Sequence, residues 1–115
     1  MQKELFRLQD YFKNYPDIEV WVIGDRRKTA EYYWKCIKEH IETNKKPIFN
    51  SPSTLATRGE GLNPDDAIIV LCGHWYENKH SCNGLFQYYL NNAKFTLPIG
   101  EMPDHIINKG ETNNE

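Results

Sequence analysis

Leu5, Leu8 and Phe12 recur at helical spacing through residues 2–14, with Phe6 beside them and charged positions between. The pattern predicts a short amphipathic helix, which Pro16-Asp17 ends. Ile18-Glu19-Val20-Trp21-Val22-Ile23 then predicts a strand up to Gly24. It is apolar on nearly both faces, as in a sheet covered by helices on each side. Residues 29–43 predict a second helix, capped at Thr29, with Ala30, Tyr33, Trp34, Ile37 and Ile41 as its apolar stripe. Asn44-Lys45-Lys46 ends it, and Pro47-Ile48-Phe49-Asn50 is a short second strand. Residues 51–64 are rich in turn formers and predict a long mobile loop, of a length that is often functional. Ala67-Ile68-Ile69-Val70-Leu71-Cys72 is the clearest strand. Residues 83–94 predict a helix with Leu85, Phe86, Tyr89, Leu90 and Ala93 on one side. Thr96-Leu97-Pro98-Ile99 closes the set, its proline suggesting an edge or a strand end. A single domain over residues 1–101 is expected, then a polar, flexible tail over 102–115.

Helix and strand alternate along this order. Such alternation argues for a small α/β protein, a three-layer sandwich around a parallel sheet of four or five strands. Ligands in such sheets bind beyond the carboxyl ends of the strands. Those ends are Gly24-Asp25-Arg26-Arg27, Asn50-Ser51-Pro52 and Gly73-His74-Trp75, where polar residues gather.

A length of 115 residues permits one compact core. Lys and Arg number 14 against 16 Asp and Glu, a formal charge of −2. This balance argues against charge-driven binding of nucleic acid, while a small anion held by a few local donors remains open. The three cysteines, Cys36, Cys72 and Cys82, form no Cys-x-x-Cys pair, which points to a reducing compartment. No signal peptide and no apolar run of membrane-spanning length is visible, so a cytoplasmic protein without a membrane partner is expected.

Candidate chemistry is local. Gly24 lets backbone approach a ligand closely, and Asp25-Arg26-Arg27 brings charge to a helix start, where anions bind. The plain alternative is a tight turn with solvated charges. No Gly-x-Gly-x-x-Gly and no phosphate-loop motif is present, so an ordinary dinucleotide site is not expected. Trp75, after the exit at Gly73, is either a stacking platform for a base or sugar or a lid on the core. His74 and His80 lack the partners of a zinc set, so no metal and no cofactor is expected. Cys72 and Cys82 read as small core residues rather than nucleophiles.

The combination reaches further. The strand, glycine and aspartate at 18–25, Ile48-Phe49-Asn50-Ser51-Pro52, Asp65-Asp66-Ala67-Ile68-Ile69-Val70-Leu71, Gly73-His74-Trp75, Ser81-Cys82-Asn83-Gly84-Leu85-Phe86-Gln87 and Leu97-Pro98-Ile99 together resemble the nucleoside 2-deoxyribosyltransferase-like superfamily. The resemblance is nearest to its small phage and bacterial members. It spans residues 18–99 and implies a flavodoxin/Rossmann-like sheet, a homodimer or higher homo-oligomer, and a nucleoside or nucleotide ligand. Active members of that superfamily break an N-glycosidic bond through a glutamate nucleophile that forms a glycosyl-enzyme.

Carried over by position, the resemblance makes Ser81 the residue at the 5′ end of the sugar and Asp65 or Asp66 the acid beside the leaving base. The nucleophile position falls on Gln87, and an amide is a very poor nucleophile, though it can hydrogen-bond a sugar hydroxyl. Gly24, Asp25, Arg26, Asn50, Gly73, Trp75, Ser81 and Gly84 complete the expected ligand-binding set, with Gln87, Asp65 and Asp66 in the catalytic places. Three readings follow. The first is a protein that binds a nucleotide-like ligand without turnover, such as a phage nucleotide-sequestering protein. The second is an N-glycosidase or 2-deoxyribosyltransferase, either native or with a natural glutamate exchanged for Gln87. The third is a protein-interaction module on the same fold.

Overall fold

Ala67–Cys72 has no exposed residue along its whole length, and an apolar strand of this kind must be covered on both faces. The computed structural model describes residues 2–58 and 62–99. Its elements run α1 (Gln2–Asn14), β1 (Glu19–Ile23), α2 (Arg27–Lys38), β2 (Ile48–Asn50), α3 (Pro52–Arg58), β3 (Ala67–Cys72), α4 (Gly84–Asn92) and β4 (Phe95–Ile99). Short 3-10 turns at Pro64–Asp66 and Trp75–Glu77 flank β3. The tail expected over 102–115, and the boundary expected at 101, lie outside the described residues.

All strand pairs are parallel, in the order β2-β1-β3-β4. Side chains alternate between the faces, as the period of two requires. Val20, Val22, Ile68, Val70, Cys72, Leu97 and Ile99 meet α1 and α2 through Leu5, Leu8, Tyr33, Trp34 and Ile37. Trp21, Ile23, Ala67, Ile69 and Leu71 meet α3 and α4 through Leu55, Phe86 and Tyr89. The protein is therefore a three-layer α/β sandwich with a four-stranded parallel sheet, flavodoxin/Rossmann-like in plan. Pro98 stands on the edge strand β4, where a missing N–H is tolerated.

Two predicted elements differ from the structure. The loop expected over 51–64 contains α3. Ser51 caps it, accepting from the amide of Thr54 at 3.2 Å, and Pro52 follows at the first helical position, which suits its fixed φ. Leu55 anchors this helix in the core at 1% exposure. The second helix begins at Arg27, with Arg26 at the N-cap and no side-chain cap bond. Thr29 lies inside its first turn and is not the cap.

Before β1 the chain is held from a distance. The Lys45 ammonium donates to the carbonyls of Pro16 and Ile18, the latter at 2.8 Å, joining the segment after α2 to the α1–β1 turn. Lys45→Met removes these charged donors. By the usual worth of such bonds, it is expected to lower stability by about 1–2 kcal/mol in urea denaturation, while Lys46→Met, at an exposed neighbour, changes it by less than about 0.5 kcal/mol.

Candidate functional site

β1 and β3 are neighbours in the sheet, yet their exits diverge. β1 leads to α2 on one face, and β3 leads to α4 on the other. This divergence is a topological switch point, and it leaves a crevice beyond the carboxyl ends of the two strands. Gly24 and Gly73 stand at the two exits.

Gly24 donates its amide to Asn50 at 3.2 Å, locking the end of β1 to the end of β2. A Cβ at Gly24 would lie 2.8 Å from the Ala30 nitrogen, so only glycine lets the first turn of α2 close over the strand end. Gly73 has φ +57 and donates its amide to Ile99 at 2.9 Å. A Cβ there would lie 2.6 Å from the Tyr33 hydroxyl oxygen. A helix on one face thus sends a phenol to the exit of the central strand.

Past Gly73 the loop is built on side-chain amides. Asn78 donates through Nδ2 to the Asp25 carbonyl at 2.8 Å. Its Oδ1 accepts from the Ser53 hydroxyl at 3.0 Å and from the His80 amide at 2.8 Å. One side chain therefore ties together the β1 exit, α3 and the β3–α4 loop. The Ser81 hydroxyl donates to the Tyr76 carbonyl at 3.0 Å. Gln87 donates through Nε2 to the Ser81 carbonyl at 2.7 Å. Because that partner can only accept, the contact needs a donor at position 87, which an ionised carboxylate is not. Asn83 caps α4, its Oδ1 accepting from the amides of Leu85 and Phe86 at 2.8 and 3.4 Å.

The aromatic side chains form a rim. Trp75 is half-buried and tilts over Phe86 at 5.9 Å, with Tyr76 edge-on to it at 5.8 Å. Tyr76 itself is 56% exposed and lies 5.7 Å from the His74 ring. Trp75 is thus partly a lid on the core and partly an open face. Arg26 projects into solvent, with Asp25 at 4.0 Å, and no acidic residue occupies the first turn of α2.

Gly24, Asp25, Arg26, Asn50, Gly73, Trp75, Ser81, Gly84 and Gln87 therefore share one end of the sheet. Asp65 and Asp66 do not join them. They sit in the 3-10 turn before β3, at the amino edge of the sheet. A strand of six residues separates the two edges by roughly 20 Å. Asp66 instead lines a cleft of about 410 Å³ with Asp17 and Lys94. Their expected place beside Gln87 is thus corrected by strand direction: residues before a parallel strand lie at the edge opposite to residues after it. At Gly84 a Cβ would meet nothing within 4 Å, so its position there rests on no close approach within the chain. Cys82 is exposed, unlike the core residue expected, whereas Cys72 is buried and its thiol is pushed well up by desolvation. Among the described residues, no group of three or more His, Cys, Asp or Glu could hold a metal ion.

Sequence reasoning passed over Asn78 and Tyr33 as site residues. Two of the three partners of Asn78 lie 25 and 53 residues away, and its neighbours in the chain do not show them. Tyr33 falls on the apolar stripe of α2, which accounts for its buried ring and is silent about its hydroxyl. The fold defines a class: a small doubly wound α/β protein with polar and aromatic residues gathered at its switch point. No family model, curated protein or solved structure matches the chain.

Two outcomes test this geometry. Gly73→Ala is expected to lower stability by about 1–2 kcal/mol from the left-handed backbone alone, and further through the Tyr33 contact. Adding Tyr33→Phe should return part of that second share, read as a coupling in a urea-denaturation cycle. Gln87→Glu loses the donor and sets an anion against the Ser81 carbonyl, which is expected to cost about 1–3 kcal/mol at pH 7. That contact raises the folded-state pKa of the introduced carboxyl. The deficit should therefore begin to shrink as pH falls through the raised folded-state pKa and be gone below about 4, where the acid is protonated in both states and can donate again. A constant deficit across pH would show that the Ser81 contact is not the cause.

Proposed function

We propose that the chain binds a small anionic ligand of the nucleoside phosphate type at the carboxyl end of its sheet, without turning it over. The observation that carries this reading is the start of α2 at the switch point. No side chain caps it, its first turn holds no acid, and Arg26, Arg27 and Lys28 surround it. Exposed amides at a helix start attract anions, and flanking cations add to that field. The open part of Trp75 and the exposed Tyr76 supply faces on which a base can stack. Gln87, on α4, holds the Ser81 carbonyl of the loop before it.

The reading without turnover draws support from two features. Gln87 holds the Ser81 carbonyl as a donor, and Asp65 and Asp66 sit at the far edge. Neither arrangement supplies a carboxylate nucleophile or an acid for the leaving base. Self-association into a homodimer is part of the same proposal. Phe6, Tyr32 and Tyr88 leave large rings exposed on three helices. Among the described residues, no helix is long and apolar enough to cross a membrane.

The test is titration calorimetry with nucleosides and their 5′-phosphates, followed by chromatography of the recovered ligand. A phosphorylated compound should bind at least about tenfold more tightly than its bare nucleoside, a difference of about 1.4 kcal/mol, and be recovered whole. Arg26→Ala/Lys28→Ala should remove most of that difference. Trp75→Ala should weaken binding by about 1–3 kcal/mol, the usual worth of a base–aromatic stack. No binding by any member of the panel would overturn the proposal, and free base in the recovered sample would replace binding with N-glycosidic cleavage.

A further inference from the structure

α1 hides Leu5 and Leu8 in the core and leaves Phe6 67% exposed, the most exposed large apolar side chain among the described residues. Lys3, Phe6 and Asp10 follow at intervals of three and four residues. They therefore form one stripe along the outer face of the helix. All three are exposed, and among the described residues no ion pair holds Lys3 or Asp10. Beside Phe6 lies a hollow of about 100 Å³, lined by Leu5, Phe6, Gln9, His40 and Ile41. Leu5 and Gln9 set it on the flank of α1 opposite Arg7, so it lies outside the stripe.

The stripe is self-complementary. A two-fold axis crossing α1 between Phe6 and Arg7 sets each residue against the one whose number completes thirteen. Lys3 then faces Asp10, and Asp10 faces Lys3, so both charge pairs are opposite in sign. Phe6 faces Arg7, whose guanidinium plane stacks well on a ring. Contacts of this reciprocal kind are what a symmetric dimer requires.

We propose that α1 is a self-association surface on which a second copy of the chain docks, α1 antiparallel to α1. Phe6 stacks on Arg7 of the partner subunit, and Lys3 pairs with Asp10 of the partner subunit in both directions. This inference rests on the proposed self-association and names the surface for it. A helix of 13 residues is about 20 Å long. The contact therefore falls among small, transient interfaces, below about 1,200 Å².

Sedimentation velocity of the whole chain, from about 5 to 500 μM, reads the equilibrium. Wild type should shift from monomer to dimer across that range and shift less in high salt, which screens exposed charge pairs. Phe6→Glu should raise the dissociation constant at least about tenfold, or about 1.4 kcal/mol. Asp10→Lys should weaken association by setting lysine against lysine. Lys3→Asp/Asp10→Lys should restore it to within about threefold of wild type, because the swap keeps opposite signs together. Circular dichroism confirms that each variant is folded. A monomer at every concentration overturns both this surface and the self-association. A dimer indifferent to Phe6→Glu overturns the surface alone, and one sensitive to Phe6→Glu but not rescued by the charge swap overturns the antiparallel register.

Discussion

The constraint on which the structure depends is the burial of β3 on both faces. No residue of Ala67–Cys72 is exposed, so layers of helix must lie above and below it. A parallel sheet meets this need through its own crossovers. Because α2 covers one face while α3 and α4 cover the other, the chain must leave β1 and β3 in opposite directions. The crevice at the carboxyl edge is thus a consequence of core packing and exists before any ligand is considered. The same requirement puts both glycines at the exits, since helices covering opposite faces must start close to the strand ends.

Given that crevice, the chain still has to satisfy the backbone of the turns around it. Asn78, Asn83 and Gln87 do so with side-chain amides. An amide carries a donor and an acceptor without net charge, so it can replace missing backbone partners in a half-buried turn at little desolvation cost. Asn78 uses both ends at once and so fixes the relation of three segments. At the start of α2, Arg26 stands near Asp25 and Arg27 pairs with Glu31 at 3.2 Å, while no ion pair holds Lys28 among the described residues. The exposed acids at this rim are mostly engaged with neighbours: Asp25 stands 4.0 Å from Arg26, and Glu77 stands 3.5 Å from His74.

The layers were legible in the sequence wherever one periodicity dominated. The apolar run of β3, the alternating burial of β4 and the stripes of α1 and α2 each point to one element and one face. The α3 segment was not, because its seven residues carry one buried anchor, Leu55. One apolar position sets no period, and Ser51-Pro52 reads equally as a turn or a helix start. The strand ends themselves were legible from topology, which is why most candidate residues gather at one edge. Asp65 and Asp66 were misplaced because resemblance transfers a residue by its neighbours in the chain, while a sheet sorts residues by which end of the strand they occupy.

The distribution of charge across the sheet carries the argument one step further. Catalysis at an anomeric carbon needs a carboxylate beside the carbon, to attack it and to stabilise the positive charge that develops there. Binding an anion needs the reverse field. At the carboxyl edge, position 87 is neutral and is used as a donor, and Arg26, Arg27 and Lys28 crowd the start of α2. Asp17, Asp65 and Asp66 collect at the amino edge, where Asp17 and Asp66 share a cleft with Lys94. Helix direction adds to the contrast. α2 and α4 both start at the carboxyl edge, so their positive ends face the crevice and their negative ends face away. The charge of Lys28 and the backbone dipole thus agree in sign at the proposed site. A carboxylate introduced there would be attracted by the helix starts and yet oppose a carbonyl at Ser81, so the field alone would not turn this pocket into a glycosyl-transferring one. Its loop would have to be rebuilt around an acceptor at position 87 before the chemistry could begin.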